Sequence, residues 1–137
     1  MAKRPKAWMV SPAKSSKSSM SDSLKADLET KSAHLIEHVL KPKHVLPLAN
    51  DEQFNHIIDI GTIWYRNYFY FFSTYACPGP NSTAPTFESK FARLEYSGND
   101  KFNLHFMRHT GKWVALYNGL NVDECLKAIQ DDPWFVP

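Results

Sequence analysis

Glycine is scarce in this chain: five in 137 residues, none arranged as G-x-G-x-x-G or as a phosphate-binding loop. Nucleotide-dependent catalysis is therefore not expected, and no cofactor is assigned. Only two cysteines are present, Cys77 and Cys125, so no disulfide framework is indicated. Long apolar runs are missing as well. The longest near the N-terminus is Ala7-Trp8-Met9-Val10, too short for a signal peptide and far too short to cross a bilayer. These absences point to a soluble protein of a reducing, cytoplasmic compartment with no membrane partner.

Acid is the next thing lacking, and only locally. Residues 1–20 contain Lys3, Arg4, Lys6, Lys14 and Lys17 and no Asp or Glu. The rest of the chain carries 11 basic and 14 acidic residues, so the folded part is mildly acidic. A uniformly basic nucleic-acid domain is not indicated. Pro12 and five serines between Ser11 and Ser19 leave nothing with which to build a core. Residues 1–22 are therefore expected to be a disordered basic tail, followed by one domain over 23–137. Within the tail, Trp8 is a candidate anchor for a groove on this domain or on a partner.

Apolar spacing gives the architecture. Leu24, Leu28, Leu35, Ile36, Val39 and Leu40 form a helical stripe, with Ser21 or Ser23 as cap and Pro42 as the expected stop, at Leu40 or Lys41. Residues 53–117 read as five strands. The first places Phe54, His56, Ile58, Ile60 and Trp64 on one face, and Arg66-Asn67 turns it, with Asn67 tolerating positive φ. Tyr68 to Ala76 is nearly all aromatic, has no polar face, and is expected to be central and covered on both sides. In Phe87 to Tyr96 the apolar phase slips between Phe91 and Leu94, which predicts a bulge. Phe102, Leu104 and Phe106 define the fourth strand, and Trp113 to Tyr117 the fifth. A closing helix over 122–131 has Asn121 as N-cap, Glu124 at the capping-box position, and Val122, Cys125, Leu126 and Ile129 on one face. Trp134 and Phe135 are expected to tuck against the core. The fold class is α+β: an N-terminal helix, a five-stranded antiparallel sheet and a C-terminal helix.

Two helices cover one face of such a sheet. The other would hold Ile57, Ile63, Tyr65, His105, Met107 and half the aromatics of strand two, which is too apolar to leave in water. Tyr65, Arg66, Tyr68, Tyr70, Tyr75, His105 and Met107, with Trp8, are the candidate binding residues. The leading function is a non-enzymatic protein-binding or self-assembly module, with a homodimer as the natural form. The alternative is single-stranded nucleic-acid binding through residues 1–20 and stacking aromatics, helped by Arg66, Arg93 and Arg108.

Catalytic motifs are weaker. His34-Leu35-Ile36-Glu37-His38 matches the H-x-x-E-H pattern of zinc peptidases, and residues four apart on a helix reach one metal. A third ligand is not apparent, and histidines near a helix C-terminus have an ordinary reason to be there. A metal-dependent hydrolase built on His34, Glu37 and His38 thus ranks last. His105 and His109 read as strand neighbours on one face, about 13 Å apart, too far to share a metal. Cys77 lacks a base to activate it, and Cys125 lies on the apolar helix face.

Several segments carry a resemblance: Leu40-Lys41-Pro42-Lys43, Phe91-Ala92-Arg93-Leu94-Glu95-Tyr96, Gly111-Lys112-Trp113-Val114-Ala115-Leu116-Tyr117, and the ending from Val122-Asp123-Glu124-Cys125-Leu126 to Asp132-Pro133-Trp134. From about residue 24 to 135 the chain resembles a family of short bacterial proteins known only as a domain of unknown function. The resemblance implies a bacterial cytoplasmic protein and the same helix–sheet–helix order. It implies no activity and no catalytic residue.

Overall fold

The structure, a computed structural model, describes residues 20–45, 55–77 and 85–137. The first helix, α1, spans Asp22–Leu35 and starts where Ser21 Oγ accepts from the Leu24 amide at 3.1 Å. It continues through a π-helical turn, Ile36–Leu40, into a last α-turn, Lys41–His44. Pro42 therefore does not stop the helix at Leu40 or Lys41 as the sequence led us to expect. A proline cannot donate to the carbonyl four residues back and its ring presses on it. The wider π turn just upstream, closed by Lys41 N–H to the Ile36 carbonyl, lets the chain carry the proline for one more turn.

Five strands follow: β1 (His56–Tyr65), β2 (Tyr68–Ala76), β3 (Thr86–Gly98), β4 (Lys101–Met107) and β5 (Trp113–Leu120). They pair in sequence order, every pair antiparallel, so β3 is the middle strand. The second helix, α2 (Val122–Asp131), begins with a full capping box. Asn121 Oδ1 accepts from Glu124 N–H at 2.8 Å, and Glu124 Oε1 accepts from Asn121 N–H at 2.9 Å. A 3₁₀ turn, Pro133–Phe135, closes the chain. The α+β order of helix, five-stranded antiparallel sheet and helix is the one the apolar spacing indicated. Among the described residues no helix is long and apolar enough to cross a membrane.

Both helices lie on one sheet face. Leu28, Leu35, Ile36 and Leu40 from the first helical segment and Val122, Cys125 and Ile129 from α2 pack onto Phe69, Phe71, Leu94, Phe102 and Leu104. Lys31 joins the helices through Asp123 at 3.0 Å, and Lys41 joins the first to the sheet through Asp59 at 3.1 Å. The strand phases depend on irregular pairs. In β1 a bulge between Ile57 and Asp59 turns Ile57 toward the core and leaves Ile58 43% exposed, the reverse of the simple alternation read from sequence. In β3, Phe71 pairs with Ala92 but Phe72 with Lys90, so Phe91 is the extra residue of the predicted bulge. At the β1–β2 turn the left-handed residue is Arg66, with φ of 59°, rather than Asn67.

Of the tail expected over 1–22, only Met20, Ser21 and Asp22 are described, and Met20 packs against the core. Trp8 lies outside the described residues, as do Phe54 and the Pro78–Pro80 loop.

The C-terminal pair divides. Phe135 is 1% exposed, whereas Trp134 is 56% exposed and leans on Phe106 with ring centroids 4.8 Å apart. A 3₁₀ turn points successive side chains about a third of a circle apart, so only one of the two faces the core. Phe135→Ala is expected to cost about 3–5 kcal/mol, a large share of a domain stability of roughly 5–15 kcal/mol. Trp134→Ala loses chiefly its tilted ring contact with Phe106, worth about 0.5–1.5 kcal/mol. Urea midpoints of the two variants check this; equal losses would contradict it.

Candidate binding face

Side chains alternate along a strand, so the helix-free face follows from the core face. In β2, Phe69 and Phe71 face the helices, and Tyr68, Tyr70 and Phe72 face away. Cross-strand register then fixes their neighbours. One row runs Ile63, Tyr70, Arg93, His105, Ala115 across the five strands. The next row runs Tyr65, Tyr68, Glu95, Asn103. Lys90 lies opposite Phe72, which lies opposite Gly61. A Cβ at Gly61 would sit 2.9 Å from Phe72 Cζ, so glycine is what admits that ring.

Arg93 organises the centre. Its guanidinium lies 4.4 Å from the Tyr68 ring and 4.9 Å from the Trp113 ring. Its Nε–H donates to His105 Nδ1 at 3.2 Å. Trp113 also meets Tyr70, with centroids 5.7 Å apart. Lys90 Nζ stands 5.6 Å over Tyr70, and the Arg66 guanidinium 5.2 Å over Tyr65. Cations over ring faces gain electrostatic attraction while covering apolar area. Among the described residues no second helical layer lies over the aromatic strand, and Tyr70 is 8% exposed although both described helices lie on the opposite face.

The Arg93 bond also sets the His105 tautomer. Nδ1 accepts, so the proton of the neutral ring is on Nε2, which faces Glu95 Oε1 at 4.0 Å. Burial and then the Arg93 charge lower the His105 pKa, with Glu95 opposing. Arg93's terminal nitrogens have no hydrogen-bond or ion-pair partner among the described residues.

The sequence candidates separate in space. Tyr65, Tyr68, Tyr70, His105 and Met107 share the helix-free face, with Arg66 at its rim and Met107 opposite Trp113. Tyr75 does not: it is in phase with Phe69 and Phe71, stacks on Phe87 at 5.0 Å, and donates its hydroxyl to the Pro137 carbonyl at 3.0 Å on the helix side. Burial raises its pKa. Trp113, Lys90 and Glu95 were missed, although each is a register partner or same-face neighbour of a candidate. The signal was the Phe91 slip. One extra residue puts Lys90 and Arg93 on the same face despite their odd separation.

The H-x-x-E-H residues do meet in part. The His34 and His38 rings are 4.3 Å apart and exposed, but Glu37 is held by Lys41 at 2.6 Å. Among the described residues no three His, Cys, Asp or Glu side chains gather as a metal site. His109 is not on a strand with His105, because β4 ends at Met107 and His109 sits in the following turn. Cys125 is buried, with its pKa pushed up to about 12, so it is a packing residue and no thiolate.

The lowered His105 pKa has a consequence for stability. The unfolded chain takes up a proton at about pH 6.5 before the folded chain does. The contribution is complete above that value and is lost as pH falls through the lower, folded pKa. His44, also lowered by burial, adds in the same direction. Denaturation midpoints are therefore expected to fall on acidification below about pH 6.5, and His105→Gln is expected to flatten part of that fall. An unchanged slope in the variant would contradict the arrangement.

Comparison with curated proteins and with solved structures returns no match. A family match covers residues 20–137, the whole described region and both of the faces just described. The chain belongs to the DUF3024 family, described as a domain of unknown function.

Proposed function

We propose that the protein is a non-enzymatic binding module that docks a protein surface on its helix-free sheet face. The observation that carries this reading is the density of Tyr, Trp and Arg there: Tyr65, Tyr68, Tyr70 and Trp113 around Arg93. These are the residue types that dominate the energy of protein interfaces. Their geometry is set in advance by the sheet and by the Arg93–His105 bond, which reduces the ordering cost of association. Exposed Ile63 and Tyr65, at 49% and 56%, extend the patch to its β1 edge.

Single-stranded nucleic acid is the weaker reading. Base stacking needs open ring faces, and Tyr65, Tyr68, Tyr70 and Trp113 each already carry one of the protein's own cations over a face. The face also bears Glu95 and, beyond Lys90, Glu88 opposite Thr74. The basic stretch of residues 1–20, on which the nucleic-acid alternative rested, lies outside the described residues except for Met20.

Site-specific photocrosslinking in the expressing cell tests the reading. A benzophenone side chain at Ile63 is expected to trap a discrete protein adduct, and one at Lys127 on α2 is not. Adducts from Lys127 alone, or none from Ile63, would overturn it.

A further inference from the structure

The two rows of the helix-free face are complementary to each other. The first holds Ile63, Tyr70, Arg93 and His105, and the second Tyr65, Tyr68, Glu95 and Asn103. Arg93 and Glu95 are two residues apart on β3, the middle strand, so they point the same way and straddle Leu94. We propose that this face binds a second copy of the chain across a two-fold axis passing over Leu94 at right angles to β3, so that Arg93 of each copy pairs with Glu95 of the other. The inference rests on the protein-docking reading above and names its partner.

Such an axis reverses the strand direction and lays each row on the other row of the second copy. Arg93 then meets Glu95 and the exposed Ile63 meets Tyr65, while Tyr68 and Asn103 of one copy lie over the buried positions of Tyr70 and His105 in the other. Apolar groups meet apolar groups, and the cation meets the carboxylate. The contact is isologous and closes at two copies. Within one copy the pair is unmade: Glu95 contacts Asn103 at 3.5 Å and His105 at 4.0 Å, while the terminal nitrogens of Arg93 have no partner among the described residues. Packed sheets stand about 10 Å apart, a gap that an arginine and a glutamate reaching from opposite sides can bridge.

The size is also adequate. Five strands give a face about 24 Å wide, and the overlapping length is about 20 Å. Two such faces bury roughly 1,000 Å² in total, the lower bound of a specific interface, which predicts a reversible dimer. An arrangement with the axis along the strands would instead put Arg93 on Arg93, and like charges placed together are costly.

Sedimentation equilibrium of the full chain tests this. The wild type is expected to dimerise reversibly. Arg93→Glu alone places four carboxylates at the axis, and Glu95→Arg alone places four guanidiniums; each is expected to weaken the dimer at least about tenfold. An equimolar mixture of the two variants restores both unlike pairs and is expected to recover association as a heterodimer, which also shows that both variants are folded. A monomeric wild type, or variants that dimerise as well as it does, would overturn the proposal. So would a mixture no more associated than its components. If the wild type is monomeric and Ile63 still crosslinks to a different protein, the second-copy inference falls and the docking face stands. If the Ile63 crosslink is also absent, both fall.

Discussion

One extra residue in the middle strand governs the layout of both faces. Without the bulge at Phe91, strict alternation from Leu94 and Ala92 would turn Lys90 toward the helices and Phe91 away from them. With it, Phe91 stays buried at 6% exposure beside Phe71, and Lys90 joins Arg93 on the face without helices. The same irregularity therefore completes the core and supplies the second cation that sits over the aromatic strand. Burial of a phenylalanine is worth about 1.5–3 kcal/mol. An alternative register that exposed Phe91 and buried the Lys90 ammonium would lose that and add a charge desolvation penalty as well.

This face shows how a sheet can carry a strand of consecutive aromatics with the described helices all on the other side. Tyr68 and Tyr70 meet with tilted rings 6.0 Å apart, and among the described residues Arg93 covers the first and Lys90 the second. Arg93 is suited to this role because its planar guanidinium stacks on two rings while its Nε–H still donates to His105. A lysine there would keep the charge and lose the fork. The result is a surface of fixed geometry whose central arginine has two terminal nitrogens with no partner among the described residues, which supports the proposed docking.

Much of this was legible in the residues. The Asn121–Glu124 capping box and the α2 stripe were plain because both depend on local spacing alone. The Phe91 phase slip was visible too, but its consequence for Lys90 and Trp113 needed the cross-strand register, which is a tertiary fact. Tyr75 was grouped with Tyr68 and Tyr70 by residue type, whereas parity along β2 puts it with Phe69 and Phe71. Pro42 misled for a different reason. The rule that proline ends a helix assumes an α-turn before it, and here the turn before it is a π turn. Trp134 and Phe135 were alike in composition, and only the direction of the 3₁₀ turn separates them.

The proposed self-docking has two parts, an Arg93 held in place and a face that meets a second copy of the chain. The Arg93 Nε–Hε resonance reports on both halves of it. In the full chain near neutral pH, a single resolved signal is expected, protected by the bond to His105, that shifts as the protein is diluted from millimolar to micromolar concentration, while the Lys127 amide on α2 stays still. A signal averaged with the other arginines would contradict the fixed guanidinium, and a resolved signal that ignores dilution would contradict the self-docking face.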